Sequence, residues 1–343
     1  MKRFIIMLSM RNKLFSFSLN HVVGFFSKSK YEYEVDRRKK IEIFNYKELV
    51  KPLPFYYRDY IFDNSLYGID FVLKRYCGVD QNIKLNGYIE HGLFLGDLVK
   101  QEQLFCFVNK IITFSSNRTH HLINGGVKKK IVAIGSYINY AQSLLDKKQL
   151  SILKDSLGRT LLVFPVHSGN SVNLEYNYNE MISRIEKVRM DEGGFDNVLI
   201  CLYWLDCYKD DICNAYLNKG YKIVTAGHRL DKYFLDRLKS IIELSDATYS
   251  NKVGTHVGYC ISMNKPHLVD EQKIKITSGN KKHLKAFNSV RSDKNEHSQN
   301  VEIDEISDFC SSMDLDRNKD ALKLFWGDNT LTRVELHRAL FSK

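Results

Sequence analysis

Residues 245–260 read SDATYSNKVGTHVGYC, a pattern that indicates a short strand, a polar turn containing a glycine and the start of a helix. The first N–H groups of a helix have no partner within it and carry partial positive charge. A phosphate can approach such a helix end closely when the surrounding residues are small and polar. The residues of this kind are Ser250, Asn251, Gly254 and Thr255, with His256 in the first helical turn.

Strands and helices alternate on either side of this turn. Short apolar runs predict strands at 160–165, 197–203, 221–225, 247–249 and 267–269. Periodic apolar positions predict helices at 180–190, 210–218 and 231–244. This alternation is typical of a parallel sheet covered by helices on both faces.

The first half of the chain contains a second, weaker set of strand signals. Apolar runs followed by polar or glycine-containing turns occur at 85–89, 110–114 and 130–134. Residues 1–60 are basic and aromatic, with little periodicity. The chain is therefore predicted to be an α/β protein with two Rossmann-like, doubly wound domains facing a cleft, followed by a C-terminal helical tail.

Ligands of open parallel sheets bind beyond the carboxyl ends of the strands, so the turns after the strands supply the candidate site residues. In the first half these turns contain Glu90, His91, Arg118 and Tyr137. In the second half they contain the following: His167, Ser168, His228, Ser250, Asn251, Gly254, Thr255 and His256. Histidine titrates near neutral pH, so His91 is the candidate general base, and Glu90 is its rival or its orienting neighbour.

The net charge and the cysteine spacing limit the kinds of molecule that the protein is expected to bind. The formal net charge is +11, from 51 basic and 40 acidic residues, which favours nucleic acid, an anionic membrane surface or a phosphorylated substrate. The basic clusters are dispersed, and the sequence contains no zinc finger or RNA-recognition signature, which disfavours a specific nucleic-acid interface. The seven cysteines match no zinc-ligand spacing, so we expect no metal and no cofactor.

No apolar run in the sequence is long enough to span a bilayer. The short apolar run near the first residue is followed at once by Arg11 and Lys13, and no signal-peptide cleavage site is evident. We therefore expect a cytoplasmic protein, with possible peripheral contact on the anionic inner face of the cytoplasmic membrane.

Several segments resemble GT-B-fold glycosyltransferases that build bacterial surface polysaccharide, such as the lipopolysaccharide O-antigen or capsule. The resemblance covers residues 80–270 and is carried by Leu162-Val163-Phe164-Pro165-Val166-His167-Ser168, Thr225-Ala226-Gly227-His228 and residues 250–256. Glu90-His91-Gly92 is similar to the His-Gly turn of the teichoic-acid polyol-phosphate transferases, in which the histidine is the catalytic base.

The resemblance implies transfer of a sugar from a nucleotide-activated donor to a glycan or lipid-linked acceptor. It implies an acceptor-side domain at 1–150, a nucleotide-sugar-binding domain at 155–270, a basic linker at 271–300 and a helical tail at 301–343. His91 and Glu90 would then be catalytic, and the polar residues of the later turns would bind the donor. Arg118 and Tyr137 would complete the cleft. An Arg-x5-Glu-type pair is absent, which favours an inverting mechanism.

Other classes remain open at this point. A nucleotide-sugar epimerase or a CDP-polyol phosphotransferase can share the same fold and the same phosphate-binding turn. A non-enzymatic basic protein that binds nucleic acid would also explain the net charge, although such a protein usually gathers its basic and aromatic residues on one face.

Overall fold

A computed structural model describes residues 2–169, 173–278 and 293–342. The chain begins with two helices, α1 (Lys2–Arg11) and α2 (Lys13–Lys39), followed by the short α3 (Tyr46–Leu49) and by α4 (Ile69–Cys77). The side chain of Asn12 accepts a hydrogen bond from the Phe15 N–H and so caps α2. Residues 13–39 thus form one long helix, although the hydrophobic periodicity of residues 1–60 is weak.

The first sheet has three parallel strands in the order β1-β2-β3. They are β1 (Tyr88–Ile89), β2 (Lys110–Thr113) and β3 (Lys130–Ala133), connected by α5 (Gln101–Phe105) and α6 (Ser116–Asn124). The strands of this sheet are shorter than the apolar runs that predict them. A helix, α7 (Lys147–Leu157), then leads into the second half.

The second sheet has five parallel strands in the order β7-β6-β4-β8-β9. They are β4 (Thr160–Phe164), β6 (Asn197–Cys201), β7 (Lys222–Val224), β8 (Ala247–Ser250) and β9 (His267–Val269). The covering helices are α8 (Tyr178–Asp191), α9 (Asp210–Leu217), α10 (Phe234–Glu243) and α11 (Thr255–Ser262). The strand order reverses between β4 and β8, which is where such sheets bind ligands.

Both faces of the second sheet are buried. Leu162 and Phe164 of β4 pack into one hydrophobic core, whereas Leu161 and Val163 pack into another on the opposite face. The alternation follows from the two-residue period of a strand, and burial on both faces explains the continuous apolar run. The first of these cores also contains Ile89 and Ile112 of the first sheet, so the two halves share one core.

A two-stranded antiparallel ribbon corrects the predicted basic linker at 271–300. It pairs β5 (Asn173–Glu175) with β10 (Lys275–Thr277), and residues 275–277 therefore form a strand. Residues 279–292 of the predicted linker lie outside the described part of the chain. Residues 293–300 belong to α12 (Asp293–Phe309), so the tail begins earlier than the expected residue 301.

The tail returns to the first half of the chain. After α12 come α13 (Leu315–Ala321), one π-helical turn at Leu322–Trp326, and α14 (Arg333–Phe341). Lys110 of β2 donates to the carbonyls of Ala339 and Ser342, at 2.7 and 2.8 Å, and Tyr76 donates to the carbonyl of Leu331. These contacts hold the end of the tail against the first half of the chain.

The predicted fold class is confirmed: the chain is an α/β protein with two parallel, Rossmann-like sheets and a C-terminal helical tail. Across residues 2–169, 173–278 and 293–342, none of the helices combines the length and the apolar character needed to cross a bilayer.

Candidate functional site

A cavity of about 750 Å³ lies beyond the carboxyl ends of the second sheet, next to β4 and β8, where the strand order reverses. The first half contributes Tyr67, His91 and Gly92 to its wall, and α12 contributes Gln299, Asn300 and Ile303. The second half supplies most of the remaining wall, including Phe164, His167, Tyr203, Phe234, Gly254, Thr255 and His256. Of the predicted site residues, the cavity therefore brings together His91, His167, Gly254, Thr255 and His256.

The start of α11 forms one side of this cavity. Gly254 precedes the helix in an extended conformation (φ −164°, ψ 176°), and no side chain caps the helix there. The Val257 N–H donates to the carbonyl of Gly254 at 3.1 Å, so the N–H groups of Thr255 and His256 are the ones open to an anion. Lys252 lies beside them and forms an ion pair with Glu271, whose carboxylate also accepts a hydrogen bond from the Val253 N–H at 3.3 Å.

His256 is held against the cavity wall in a neutral form. Its ring stacks on Phe164, with centroids 4.7 Å apart, and among the described residues its Nε2 atom has no hydrogen-bond partner. Burial, with a smaller contribution from nearby His167, lowers the pKa of His256 to about 3. A neutral ring at this position can donate one hydrogen bond to a ligand oxygen without carrying a charge of its own.

Ser250 and Asn251 stabilise the turn from behind and do not line the cavity, which corrects their predicted position. The Ser250 hydroxyl contacts Nε2 of the buried His267 at 2.9 Å, and the Thr248 hydroxyl contacts the other ring nitrogen at 2.7 Å. Asn251 accepts a hydrogen bond from the Val166 N–H at 2.7 Å, so it ties the turn after β8 to the turn after β4.

The turn after β4 presents His167 to the cavity and turns Ser168 away. The His167 ring stacks on Tyr203 with centroids 4.1 Å apart, which forms a flat aromatic surface at the cavity wall. The buried Ser168 hydroxyl instead accepts hydrogen bonds from Lys209 and from the Leu174 N–H. Ser168 therefore shapes the turn and does not line the cavity.

His228 also lies outside the cavity wall. It is buried against Trp204, with ring centroids 4.3 Å apart, and its Nδ1 accepts a hydrogen bond from the Leu230 N–H at 3.2 Å. These contacts order the turn before α10, which carries Phe234 and Leu235 into the wall.

His91 faces the cavity from the first half and has a carboxylate behind it. Its Nδ1 lies 3.5 Å from a carboxylate oxygen of Asp63, which also accepts a hydrogen bond from the Tyr88 hydroxyl at 2.9 Å. Burial alone would raise the pKa of Asp63, but the contact with His91 and the positive charge of Lys100 hold it below its usual value. At 3.5 Å the contact is longer than a hydrogen bond, and within the described part of the chain Nδ1 of His91 has no hydrogen-bond partner.

Glu90 does not face the cavity, which corrects the prediction that it is a rival base. Its side chain is fully buried and receives hydrogen bonds from Arg118, Gln103 and Thr113. Arg118 is equally enclosed, because its guanidinium also donates to the carbonyls of Gly96 and Leu98. The pair therefore joins β1, β2 and α6 and has a structural role.

Tyr137 is likewise part of the core. It is fully buried and stacks on Phe114, and its hydroxyl donates to the backbone carbonyl of Glu90 at 3.0 Å. This contact fixes the turn from which His91 projects. The three first-half residues predicted to accompany His91 thus support its position from behind.

The two sides of the cavity touch each other directly. The Leu93 N–H, two residues after His91, donates to the Thr255 hydroxyl at 2.9 Å. The imidazole of the first half and the helix end of the second half are consequently held within the span of a small ligand. Across the described residues, no group of three or more His, Cys, Asp or Glu side chains has the arrangement of a metal site.

The sequence reasoning missed Asp63 and Tyr67. Both lie in a 3-10 segment, Phe62–Gly68, that precedes α4 and follows no strand, so the rule about strand ends did not reach them. Asp63 is a lone carboxylate in a stretch without periodicity, and only the folded chain places it behind His91. Tyr203, which follows β6, also lines the cavity and was not among the predicted site residues.

Comparison with known proteins adds only distant likenesses. No protein-family model and no curated protein sequence matches the chain. The solved structures that resemble it include the pneumococcal O-GlcNAc transferase GtfA in complex with UDP and GlcNAc, at 13% identity and a TM-score of 0.31, over 73% of this chain and 52% of that one. They also include Medicago truncatula UGT71G1 complexed with UDP-glucose, at 12% identity and a TM-score of 0.26, over 68% of this chain and 49% of that one.

The chain spans about half the length of these two proteins. The likeness is too distant to support an argument about function, which therefore depends on the geometry of the cavity.

Proposed function

We propose that this protein is a glycosyltransferase that moves a sugar from a nucleotide-activated donor to a hydroxyl of a glycan or lipid-linked acceptor. The single observation that carries the proposal is the arrangement across the cavity. A histidine with a carboxylate behind it, His91 with Asp63, faces an uncapped helix N-terminus at Gly254 and Thr255.

The second half is suited to the donor. A diphosphate would lie at the N-terminus of α11, where backbone N–H groups and the helix dipole stabilise negative charge. His256 would add a neutral N–H donor, and Lys252 would add a positive charge at the same end. The aromatic surface of His167 and Tyr203 is wide enough to stack against a base or a sugar ring.

The first half is suited to the acceptor. In an inverting transfer, the acceptor hydroxyl attacks the anomeric carbon as the bond to the departing diphosphate breaks. His91 would take the hydroxyl proton, and Asp63 would stabilise the imidazolium that forms. The leaving diphosphate would gain charge at the positive end of α11, which lowers the barrier most if that end is already in place.

The walls of the cavity also serve this reaction. Phe164, Phe234 and Leu238 present apolar surface to the ligand and limit the access of water, which would otherwise compete with the acceptor. We propose that the charge of the leaving group is met by the helix end and Lys252 and needs no metal. We also propose a cytoplasmic location and a role in surface polysaccharide synthesis, in which activated donors and lipid-linked acceptors meet at the membrane.

A ligand screen tests the proposal. Thermal unfolding is measured with UDP-, GDP-, CMP- and CDP-linked sugars, with a CDP-linked polyol and with single-stranded DNA. We expect one nucleotide-sugar class to raise the midpoint, and we expect the same donor to yield transfer to an added glycan acceptor. Stabilisation by the CDP-polyol alone would indicate polyol-phosphate transfer, and conversion of the donor without acceptor would indicate an epimerase. Stabilisation by DNA alone would contradict an enzymatic role.

A further inference from the structure

Helix α2 carries large apolar residues on its outward side as well as on its inward side. Tyr31 and Val35 are buried in a hydrophobic cluster on the inward side, where the Ser16 hydroxyl also donates to the carbonyl of Tyr60 and the Asn20 side chain to the carbonyl of Tyr57. A surface helix normally exposes polar side chains on its outward side. The apolar residues on the outward side of α2 therefore need another explanation.

The outward side of α2 carries large apolar residues. Phe25 is 86% exposed, Leu14 is 79% exposed and Phe26 is 71% exposed. Leu14 and Phe25 are eleven residues apart, close to three helical turns, and Phe25 is nine residues from the buried Ser16, which places it on the opposite side. Val22 and Tyr33 extend the same exposed surface on the side of Phe26.

The part of the sequence that carries Leu14, Phe25 and Phe26 contains basic residues and no acidic ones. Glu32 is the first acidic residue of the chain, and the basic residues before it are Lys2, Arg3, Arg11, Lys13, Lys28 and Lys30. Lys13, Lys28 and Lys30 are exposed on α2 itself. Contiguous exposed apolar surface marks an interaction site, and aromatic side chains flanked by lysine are typical of helices that lie in a membrane interface.

We propose that α2 docks on an anionic lipid bilayer, with Leu14, Phe25 and Phe26 inserted among the headgroups and Lys13, Lys28 and Lys30 paired with lipid charges. The combination of exposed apolar side chains with lysines on one helix selects an anionic bilayer as the occupant, because a bilayer offers both an apolar interior for insertion and negative headgroups for the lysines. The proposal does not depend on the glycosyltransferase activity.

The docking helix is connected to the wall of the cavity. The Tyr31 hydroxyl of α2 donates to the carbonyl of Leu230 at 2.7 Å, and Lys232 forms ion pairs with Glu32 and Asp36 of α2. The loop that carries Leu230 and Lys232 leads directly into Phe234, which lines the cavity. A bilayer bound to α2 would thus lie against an element that is continuous with the site, as a lipid-linked acceptor would require.

Vesicle co-sedimentation of the full chain tests the proposal without an activity assay. We expect binding to vesicles of phosphatidylglycerol and phosphatidylcholine, little binding to phosphatidylcholine alone, and weaker binding at high salt because salt screens the lysines. The double variant Phe25→Ser/Phe26→Ser should lower the partition coefficient about tenfold or more. Lys13→Gln/Lys30→Gln should lower it about tenfold.

Matched substitutions on the opposite half of the chain act as controls. Met190→Ser removes an equally exposed apolar side chain from α8, and Lys147→Gln/Lys148→Gln removes two exposed charges from α7. Both should bind vesicles as the unaltered chain does, and all variants should unfold at similar temperatures. Equal binding to neutral and anionic vesicles, or binding that survives both α2 variants, would overturn the proposal. So would a lipid-free dimer that Phe25→Ser/Phe26→Ser dissociates, since the surface would then belong to a second copy of the chain.

Discussion

The turn after β1 and the turn after β8 are alike in sequence character but differ in what the fold makes of them. Each follows a short buried strand, and each places a histidine on the cavity wall: His91 in the first and His256 in the second. His91 has the carboxylate of Asp63 behind it, whereas His256 stacks on Phe164 and is held neutral by burial. The same residue type therefore lies beside a carboxylate on one side of the cavity and is held uncharged by burial on the other.

Each turn also contains a polar residue that points away from the cavity. Glu90 of the first turn is satisfied by Arg118, and Ser250 of the second is satisfied by His267. A buried polar group is costly unless it is hydrogen-bonded, so the fold uses these side chains to fix the turns. Polar residues at strand ends therefore hold the turns in place as often as they line the cavity.

The largest effect is expected from a negative charge placed in the second turn, because it should impair donor binding and leave the first turn unchanged. We expect Thr255→Glu to abolish donor binding, a loss of about 10²-fold or more, because like charges placed together cost several kcal/mol. The helix should persist, since an acidic residue at a helix N-terminus stabilises it. Isothermal titration calorimetry with the donor identified by the screen measures the effect.

Thr255→Val is the matched control, because it removes the hydrogen bond from Leu93 without adding charge. Its donor affinity should stay close to that of the unaltered chain. If Thr255→Val loses binding as completely as Thr255→Glu, the contact between the two turns, and not the phosphate site, is what the substitution destroys.

Removing the charge of Glu90 tests whether this residue stabilises the fold or takes part in turnover. Glu90→Gln leaves the buried guanidinium of Arg118 without its counter-charge, so we expect the free energy of unfolding to fall by about 3 kcal/mol. Turnover of the folded protein should change little. Urea unfolding and turnover measured together decide the point: lost turnover at unchanged stability would make Glu90 the base.

The neutral state of His256 has a consequence for acid stability. Its pKa is about 3 in the folded chain and near 6.5 when unfolded, so the unfolded state binds more protons between these values. The stabilisation is complete above about pH 6.5 and is lost as the pH falls towards 3, by at most about 1.4 kcal/mol per pH unit. His256→Gln should flatten this slope in urea unfolding. Equal slopes in the variant and the unaltered chain would contradict a neutral His256.

The smallest expected effect is that of metal removal. We expect turnover to persist in EDTA, because the helix end and Lys252 are proposed to take the charge of the leaving group. Complete loss of turnover in the chelator, with recovery on addition of manganese, would show that the second turn does not stabilise the diphosphate unaided.

The sheets could be predicted from the sequence because their signals are local. The runs at 160–165 and 197–203 are apolar since both faces of each strand are buried, and the predicted positions of β4 and β6 are confirmed. The helix α2 could not be predicted in the same way. Its exposed side carries Leu14 and Phe25, and its buried side mixes Ser16 and Asn20 with Tyr31, so the hydrophobic period that identifies a helix is weak.

The site could be predicted in part, for a related reason. Strand ends identify His91, His167 and the turn at 254–256, all of which line the cavity. Which neighbour in a turn points outward depends on the local backbone, so Glu90 and His91 could not be told apart. Asp63 reaches His91 only through the packing of a 3-10 segment against β1, and no local pattern encodes that contact.

The most direct test of the account is the turnover of His91→Ala, measured beside its donor affinity. If His91 is the base, turnover should fall by about 10²-fold or more, while the dissociation constant of the donor stays within about twofold, because the donor is held by the other side of the cavity. Asp63→Asn should lower turnover in the same direction and leave donor binding equally intact. Near-normal turnover of His91→Ala, or a loss of donor affinity as large as the loss of turnover, would contradict the division of roles between the two turns.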